Sequence, residues 1–362
     1  MLLWPNKMAC YYGYATIPIF SFGSFYALIG VAVAALLGYV FFTRFKKPDI
    51  LWFGVVFFVG FISMYLNVVI PAAGIVADRF MFFASIGFSI VVVCLVLKLD
   101  KTKTKIAKWK DLKLSQKAIP ATILVIFTFL IINRNSEWRS KSVLFAADVK
   151  KYPESVKLSL LTTSQLIIDL NNKEKADALS NNDKLKKIRE AEITLKKAIK
   201  TDSSCGGCYN NLSFMYLTFE RNPAEALPYL KLGYKLDTTK KEMICNLGIA
   251  YFRLGDIENA KKYLFLAIKH DKKKDFMVPY EVLQELYSRT NINEGIIFFQ
   301  AKLKENPNSE LHNVLIAKTY FEAKDTLNSI KFYKEALKIN PNNSNVADFV
   351  TKLEIKYFKS DW

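Results

Sequence analysis

A motif of about 34 residues recurs along the C-terminal two thirds of the chain and constrains the fold more than any other feature. The clearest copy starts at Lys241 and places small and bulky apolar residues at fixed offsets: Leu247, Gly248, Tyr251, Gly255, Ala260, Leu264 and Ala267. A second copy starts at Glu310, with Tyr320, Tyr333, Ala336 and Pro341 at matching offsets. Weaker copies start at Gly206 and Met277, and an earlier unit spans 155–202. The pattern predicts about five consecutive helix pairs over residues 155–344.

This spacing is typical of tetratricopeptide repeats, which are pairs of antiparallel helices. Small residues such as Gly248 and Ala260 let the two helices of a pair approach, and bulky ones such as Leu247 fill the space between them. Each pair exposes an apolar face that only its neighbours can cover, so the pairs stack into a solenoid. Residues 345–362 are amphipathic and are predicted to cap the stack.

The first 133 residues differ sharply, because they contain four long runs without a charged side chain. A membrane-spanning helix needs about 20 apolar residues. We therefore predict spans at 24–43, 50–70, 79–97 and 118–133. The last run is short and is also compatible with a buried helix. A linker helix at 134–154 joins this membrane domain (residues 1–133) to the repeats. The predicted fold class is all-α, with four transmembrane helices followed by a tetratricopeptide-repeat α-solenoid.

Charge distribution predicts how the chain lies in the membrane. The connections at 44–48 and 98–117 are rich in lysine and arginine, whereas 71–78 has none. Short basic connections stay in the cytoplasm. The repeats are then extracytoplasmic, on the periplasmic or lumenal side of an inner or plasma membrane. The net charge of +18 would ordinarily suggest nucleic acid. Lysines beside a bilayer explain the basic connections, so we predict lipid and protein partners and no nucleic acid.

Residues that usually carry chemistry are sparse. His270 and His312 lie in repeats without further ligands at metal-binding spacing, and we interpret both as solvated helix residues. We predict no metal site and no catalytic residue. Cys205 and Cys208 form a CxxC pair outside any βαβ context and without a second pair. A local disulfide and two inert thiols are both compatible with the sequence.

Asp78 and Arg79 lie where a short external connection enters the third predicted span. Charges at this depth are costly and usually face a partner or a cavity. One interpretation is an ion pair that anchors the helix. The other is an arginine that holds the phosphate of an anionic lipid.

The order of these features resembles the transmembrane and tetratricopeptide-repeat (TMTC) proteins and their bacterial relatives. The likeness is carried by 77–88 (ADRFMFFASIGF) and by Trp138, Leu144 and Pro153 ahead of the repeats. The resemblance implies the membrane architecture of lipid-dependent (GT-C) glycosyltransferases. It also implies O-mannosyl transfer from a polyprenyl-phosphate-linked sugar, which is the only ligand that it suggests. The family's acidic catalytic residues lie in its first external loop, whereas this chain has no acidic residue before Asp49. The chain therefore resembles the C-terminal part of such an enzyme, and no catalytic residue is carried over.

Two functions follow from these observations. The first is a membrane protein that derives from or completes a protein O-mannosyltransferase and whose repeats bind protein clients outside the cytoplasm. The second is a non-enzymatic, membrane-anchored scaffold for assembly of an envelope protein complex.

The predicted client-binding groove lies on the first helices of the repeats. Asn211 and Asn246 occupy equivalent positions of consecutive repeats, and an asparagine amide can pair with a peptide backbone. Phe252 and Arg253 would add an apolar wall and a positive charge. This arrangement resembles the asparagine ladder of repeat-containing glycosyltransferases, although Leu315 breaks the series. Alternatively, the asparagines close contacts between helices.

Overall fold

The computed structural model describes residues 9–10, 21, 23–63, 81–99 and 114–358. Within those residues all regular secondary structure is helical and no strand occurs. The chain divides into two units, Met1–Cys205 and Gly206–Trp362.

Unit 1 contains eight helices among its described residues. Their bounds are α1 Phe25–Arg44, α2 Ile50–Ser63, α3 Met81–Leu99, α4 Leu114–Glu137, α5 Lys141–Lys151, α6 Val156–Asn171, α7 Lys173–Asp177 and α8 Asn181–Thr201.

Helix α1 matches the first predicted span closely. It begins after Ser24, whose hydroxyl accepts a hydrogen bond from the Ala27 amide at 3.3 Å and so caps the helix. The helix is 20 residues long, has a mean hydropathy of 2.3, and buries none of its residues against protein. Across the described ranges it is the one helix long and apolar enough to cross a membrane, where the sequence predicted four.

The other predicted spans differ from the helices that form. Helix α2 ends at Ser63, and residues 64–70 of the second predicted span and 79–80 of the third lie outside the described residues. Helix α2 and Phe83–Leu95 of α3 are apolar but shorter than a full span. Helix α4 extends past both ends of the predicted 118–133. At its C-terminal end Arg134 and Glu137 form an ion pair within the last turn. A charge-free run therefore did not mark where a helix ends.

Helices α2 and α3 form a close pair through two glycines. A side chain at Gly87 would lie 2.4 Å from the backbone nitrogen of Phe58 and 2.7 Å from the carbonyl oxygen of Gly54. The rings of Phe61 and Phe83 stack nearby, with centroids 5.2 Å apart.

The end of unit 1 contains the earliest repeat-like pair. Helix α6 packs against α8, and α5 packs against α6 within the predicted linker region. On α8 the small and apolar residues Ala191, Leu195 and Ala198 are buried, while the rest of the helix is largely charged and accessible. The polar insert near 171–187 forms α7 and the first turn of α8.

Unit 2 is a run of alternating first and second helices. The bounds are α9 Gly206–Thr218, α10 Pro223–Leu236, α11 Lys241–Arg253, α12 Ile257–His270, α13 Val278–Thr290, α14 Ile292–Glu305, α15 Glu310–Glu322, α16 Thr326–Ile339 and α17 Ser344–Phe358. First helices begin within one residue of the repeat starts at Gly206, Lys241, Met277 and Glu310. The tetratricopeptide-like α-solenoid expected from the sequence is confirmed.

Local sequence explains the turn between the two helices of a repeat. Each second helix is capped by an Asn or Asp side chain that accepts the amide three residues later: Asn222, Asp256, Asn291 and Asp325. Gly255 has a φ of +82°, a conformation that glycine adopts without strain. Helix α17 covers the last pair, with Val346, Val350 and Leu353 packed in one apolar cluster with Ala317 and Tyr333.

Candidate functional site

The first helices of unit 2 form one continuous layer. Helix α9 contacts α11, α11 contacts α13, and α13 contacts α15. Among the described residues, each second helix packs on the first helices before and after it, and consecutive second helices have no comparable contact with each other. A stack curves toward the layer whose helices lie closer, so the first helices form the inner layer. Solenoids use such inner surfaces to bind extended partners.

Helix α11 shows how narrow the accessible part of this layer is. Most of the helix is buried on both sides. Glu242, Ile249, Phe252 and Arg253 form an accessible stripe, with Asn246 at the bottom of it at 8% exposure, and Lys241 and Tyr251 are also partly accessible. Residues at this spacing share one helix face.

The same stripe recurs on the neighbouring first helices, and we call the whole set the first-helix face. Its members are Asn211, Phe214, Thr218, Glu242, Asn246, Ile249, Phe252, Arg253, Val282, Glu285, Arg289, Val314, Lys318 and Phe321. All four residues that the sequence predicted for the groove belong to it.

Asn246 forms a contact that the sequence did not predict. Asn246 Nδ2 donates a hydrogen bond to Asn210 Oδ1 at 3.0 Å, and Asn210 precedes Asn211 on α9. Asn211 itself is half-buried. The structure therefore joins consecutive repeats through Asn210, which the sequence analysis missed, and the contact favours the inter-helix alternative for Asn246. That Asn211 and Asn246 bind peptide stays a prediction.

The arginines of the face reach back one repeat. Arg253 donates to the backbone oxygen of Leu217 on α9. Arg289, at the equivalent position of the next repeat, places its guanidinium carbon 5.4 Å from the centre of the Phe252 ring. A cation over an aromatic face is attracted by the ring quadrupole. Phe252 and the two arginines thus lie together in one inter-repeat arrangement.

These arginines differ in their ionic partners. Arg289 pairs with Glu285 at 2.5 Å on the surface of α13. Arg253 has no carboxylate within ion-pair distance among the described residues, and its contact with Leu217 uses one of five N–H donors. Arg253 therefore provides the first-helix face with a positive charge that is not neutralised.

The interpretation of His312 as a solvated residue is wrong. His312 is 9% exposed, and neither ring nitrogen has a hydrogen-bond partner among the residues that the structure describes. Its ring meets the Tyr280 ring edge-on, with centroids 5.3 Å apart. His312 lies in the first turn of α15, and its ring packs against α13. Burial, with a smaller contribution from Lys302, lowers the pKa of His312 below its ordinary value. His270 is half-buried at the end of α12.

Other predicted sites have mixed outcomes. Asp78 and Arg79 lie outside the described residues, so their lipid-phosphate role stays a prediction. Cys205 and Cys208 are disulfide-bonded, which decides between the two alternatives left by the sequence. Across the described part of the chain, no three potential ligands cluster as a metal site would require.

Sequence analysis also missed a buried ionic cluster at the junction of α4 and α5. The Asp148 carboxylate is fully buried and accepts two hydrogen bonds from Arg134, at 2.7 and 3.2 Å, and one from the Cys10 amide at 2.7 Å. Glu137 pairs with Lys151 at 2.6 Å beside it. The sequence did contain a signal for this cluster. Arg134 directly follows an apolar run, and Asp148 lies on the apolar face of the next short helix.

Comparison with known proteins identifies tetratricopeptide repeats at residues 242–273 and 313–343. No curated protein matches the chain. A tetratricopeptide repeat protein from Parabacteroides merdae aligns with 66% of this chain and 88% of its own, at 14% identity and a TM-score of 0.46. PilW, a type IV pilus biogenesis factor, aligns over 60% and 92%, at 15% identity and a TM-score of 0.44. YrrB, a repeat protein with an unusual peptide-binding site, aligns over 57% and 97%, at 16% identity and a TM-score of 0.38.

Proposed function

We propose that this chain is a membrane-anchored tetratricopeptide-repeat protein whose first-helix face binds an extended segment of a partner protein. The observation that carries the proposal is the first-helix face itself. It is an accessible stripe beside buried residues that recurs in register on α9, α11 and α13, and on α15 the accessible residues Val314 and Phe321 lie one position earlier. Its composition combines apolar side chains with amides and arginines, the groups that recognise a peptide.

The chemistry of the face indicates what kind of segment would fit. Phe214, Ile249 and Phe252 offer apolar contact, and each is only half-buried by the protein. Arg253 lacks a carboxylate partner among the described residues and can pair with one from outside. The proposed segment therefore carries an acidic side chain close to an apolar one. Aromatic and arginine side chains are the residues that most often dominate binding energy at interfaces.

A photocross-linking comparison tests where the partner binds. The matched positions are Ile249 on the first-helix face and Ile297 on the second helix α14, which is 68% exposed. A benzophenone amino acid placed at Ile249 in the full-length protein should give cross-linked adducts in intact cells, and the same group at Ile297 should not. Adducts from Ile297 alone would contradict the proposal.

Membrane attachment has its own support. Helix α1 has the length and hydropathy of a span, and none of its side chains is buried by protein. We propose that the other apolar runs also insert, and that the repeats lie outside the cytoplasm. The disulfide of Cys205 and Cys208 agrees with an oxidising compartment. Alkaline phosphatase should be active when it is fused after residue 150 and inactive when it is fused at Lys103. The reverse result would overturn this orientation.

The resemblance to O-mannosyltransferases adds a finer hypothesis, in which the repeats present clients to a lipid-linked-sugar-dependent enzyme. It depends on Asp78 and Arg79. If Arg79 holds a lipid phosphate, Arg79→Ala should weaken binding of a polyprenyl phosphate while the protein stays folded. Equal binding by both proteins would favour the non-enzymatic scaffold of an envelope complex.

A further inference from the structure

A pocket of about 870 Å³ lies between the second helices α14 and α16, against the start of α15. It shares no residue with the first-helix face. Its apolar lining includes Leu303, Phe332 and Ile339, and its polar lining includes Asn313, Lys304 and Lys338.

One residue that lines the pocket is smaller than its counterparts in the other repeats. Counted from the repeat starts, the fourth residue is Tyr209, Ile244, Tyr280 and Asn313 in successive repeats. Tyr209 and Ile244 are buried, and Tyr280 is largely covered. In the last repeat this position holds the shorter Asn313, which lines the pocket.

Asn313 is also only partly satisfied in its hydrogen bonding. The side chain is 3% exposed, and its Nδ2 donates to the backbone oxygen of Ser309 at 3.0 Å. Its Oδ1 receives no donor from any described residue. Asn313 lines the pocket, so this oxygen can accept a hydrogen bond from a ligand N–H.

The charges at the rim favour an anionic ligand group. Lys304 has no carboxylate within ion-pair distance in the described part of the chain, whereas Lys338 pairs with Glu335 at 2.7 Å. The rim therefore carries one lysine that is not neutralised. It lies above an apolar floor that includes Leu303 and Phe332.

We propose that this pocket is a second docking site, which binds an extended acidic segment of a partner protein. A backbone N–H of the segment donates to Asn313 Oδ1. A neighbouring carboxylate pairs with Lys304, and an apolar side chain lies against Leu303 and Phe332. This site is additional to the proposed function of the first-helix face.

Blocked tetrapeptides of alternating leucine and aspartate are the test ligands, titrated into the full-length protein in detergent micelles by fluorescence anisotropy. The leucine–aspartate peptide should bind saturably. Its affinity should be at least tenfold higher than that of a control peptide in which lysine replaces each aspartate. Lys304→Gln should weaken binding about fivefold or more. Lys269→Gln is the control, since Lys269 is exposed on α12 outside the pocket, and should leave binding unchanged.

The role of Asn313 has two independent tests. Asn313→Leu removes the acceptor at a similar side-chain size, so it should weaken peptide binding about fivefold or more while the unfolding midpoint is not lowered. A peptide with N-methylated leucines lacks the N–H donors and should bind at least tenfold more weakly to the unmodified protein, a result that does not depend on how the variant folds. Unchanged binding in either test, or equal binding of the lysine peptide, would overturn the proposal.

Discussion

The replacement Gly248→Ala tests whether close approach of two helices, rather than apolar content alone, determines the repeat fold. A Cβ at Gly248 would lie 2.7 Å from Leu264 Cγ, 2.9 Å from Leu264 Cδ2 and 3.1 Å from the Leu264 backbone nitrogen. Favourable contacts between carbon atoms need about 3.5–4.0 Å. Leu264 is fully buried and cannot turn aside, so α11 and α12 must separate.

Two opposing effects determine the size of the change. Overpacking a buried site costs about 1–3 kcal/mol, and a contact that includes backbone belongs in the upper half of that range. Alanine in place of glycine favours the helix by about 1 kcal/mol. We expect Gly248→Ala to lower the free energy of unfolding by about 1–2 kcal/mol.

Gly206→Ala is the matched control, because a Cβ there meets no atom within 4 Å. It should leave stability unchanged or raise it slightly. Urea unfolding of the full-length protein in micelles, followed by far-ultraviolet circular dichroism, measures both variants. If Gly248→Ala is as stable as Gly206→Ala, the helices do not depend on the glycine and the packing argument is refuted.

Three further outcomes follow from the structure. A double-mutant cycle of Asn210→Ala and Asn246→Ala should give a coupling of about 1 kcal/mol in unfolding free energy, whereas no coupling would remove their hydrogen bond from the account. Because the pKa of His312 is lowered by burial, the unfolded chain takes up the proton first. Stability should fall between pH 7 and pH 5.5, less so in His312→Phe, and an equal fall in both proteins would contradict this assignment. Asp148→Asn should destabilise unit 1 by about 1.5–3 kcal/mol, since Arg134 loses its buried carboxylate partner and keeps only Glu137, and an unchanged melting temperature would show that the Asp148 charge contributes nothing.

Much of unit 2 could be predicted from the sequence, because each repeat position has one packing role. Gly248, Ala260 and Leu264 occupy the positions that their sizes require, and the helix caps follow from single residues such as Asp256. The repeat starts gave the first-helix positions within one residue. Helix bounds in the predicted membrane domain were harder to predict, since an apolar run contains no comparable marker of where a helix ends.

Contacts between repeats could not be predicted in the same way. The partner of Asn246 depends on the rotation of α9 against α11, and one residue decides between Asn210 and Asn211. Arg253 and Arg289 were visible as an aligned pair, but only the structure shows that both contact the preceding repeat. A residue's burial likewise depends on its neighbours, which is why His312 resembled a surface residue in the sequence.

The most direct measurement is the affinity of the full-length protein for the partner segment that cross-links at Ile249. The account predicts that Phe252→Ala and Arg253→Ala each weaken binding about tenfold or more, equivalent to about 1.4 kcal/mol. Ile297→Ala, on the exposed side of α14, should bind as the unmodified protein does. Unfolding midpoints of all three variants exclude loss of fold as the cause. Unchanged affinity in the Phe252 and Arg253 variants, with a loss in the Ile297 variant, would show that the first-helix face is not the binding surface.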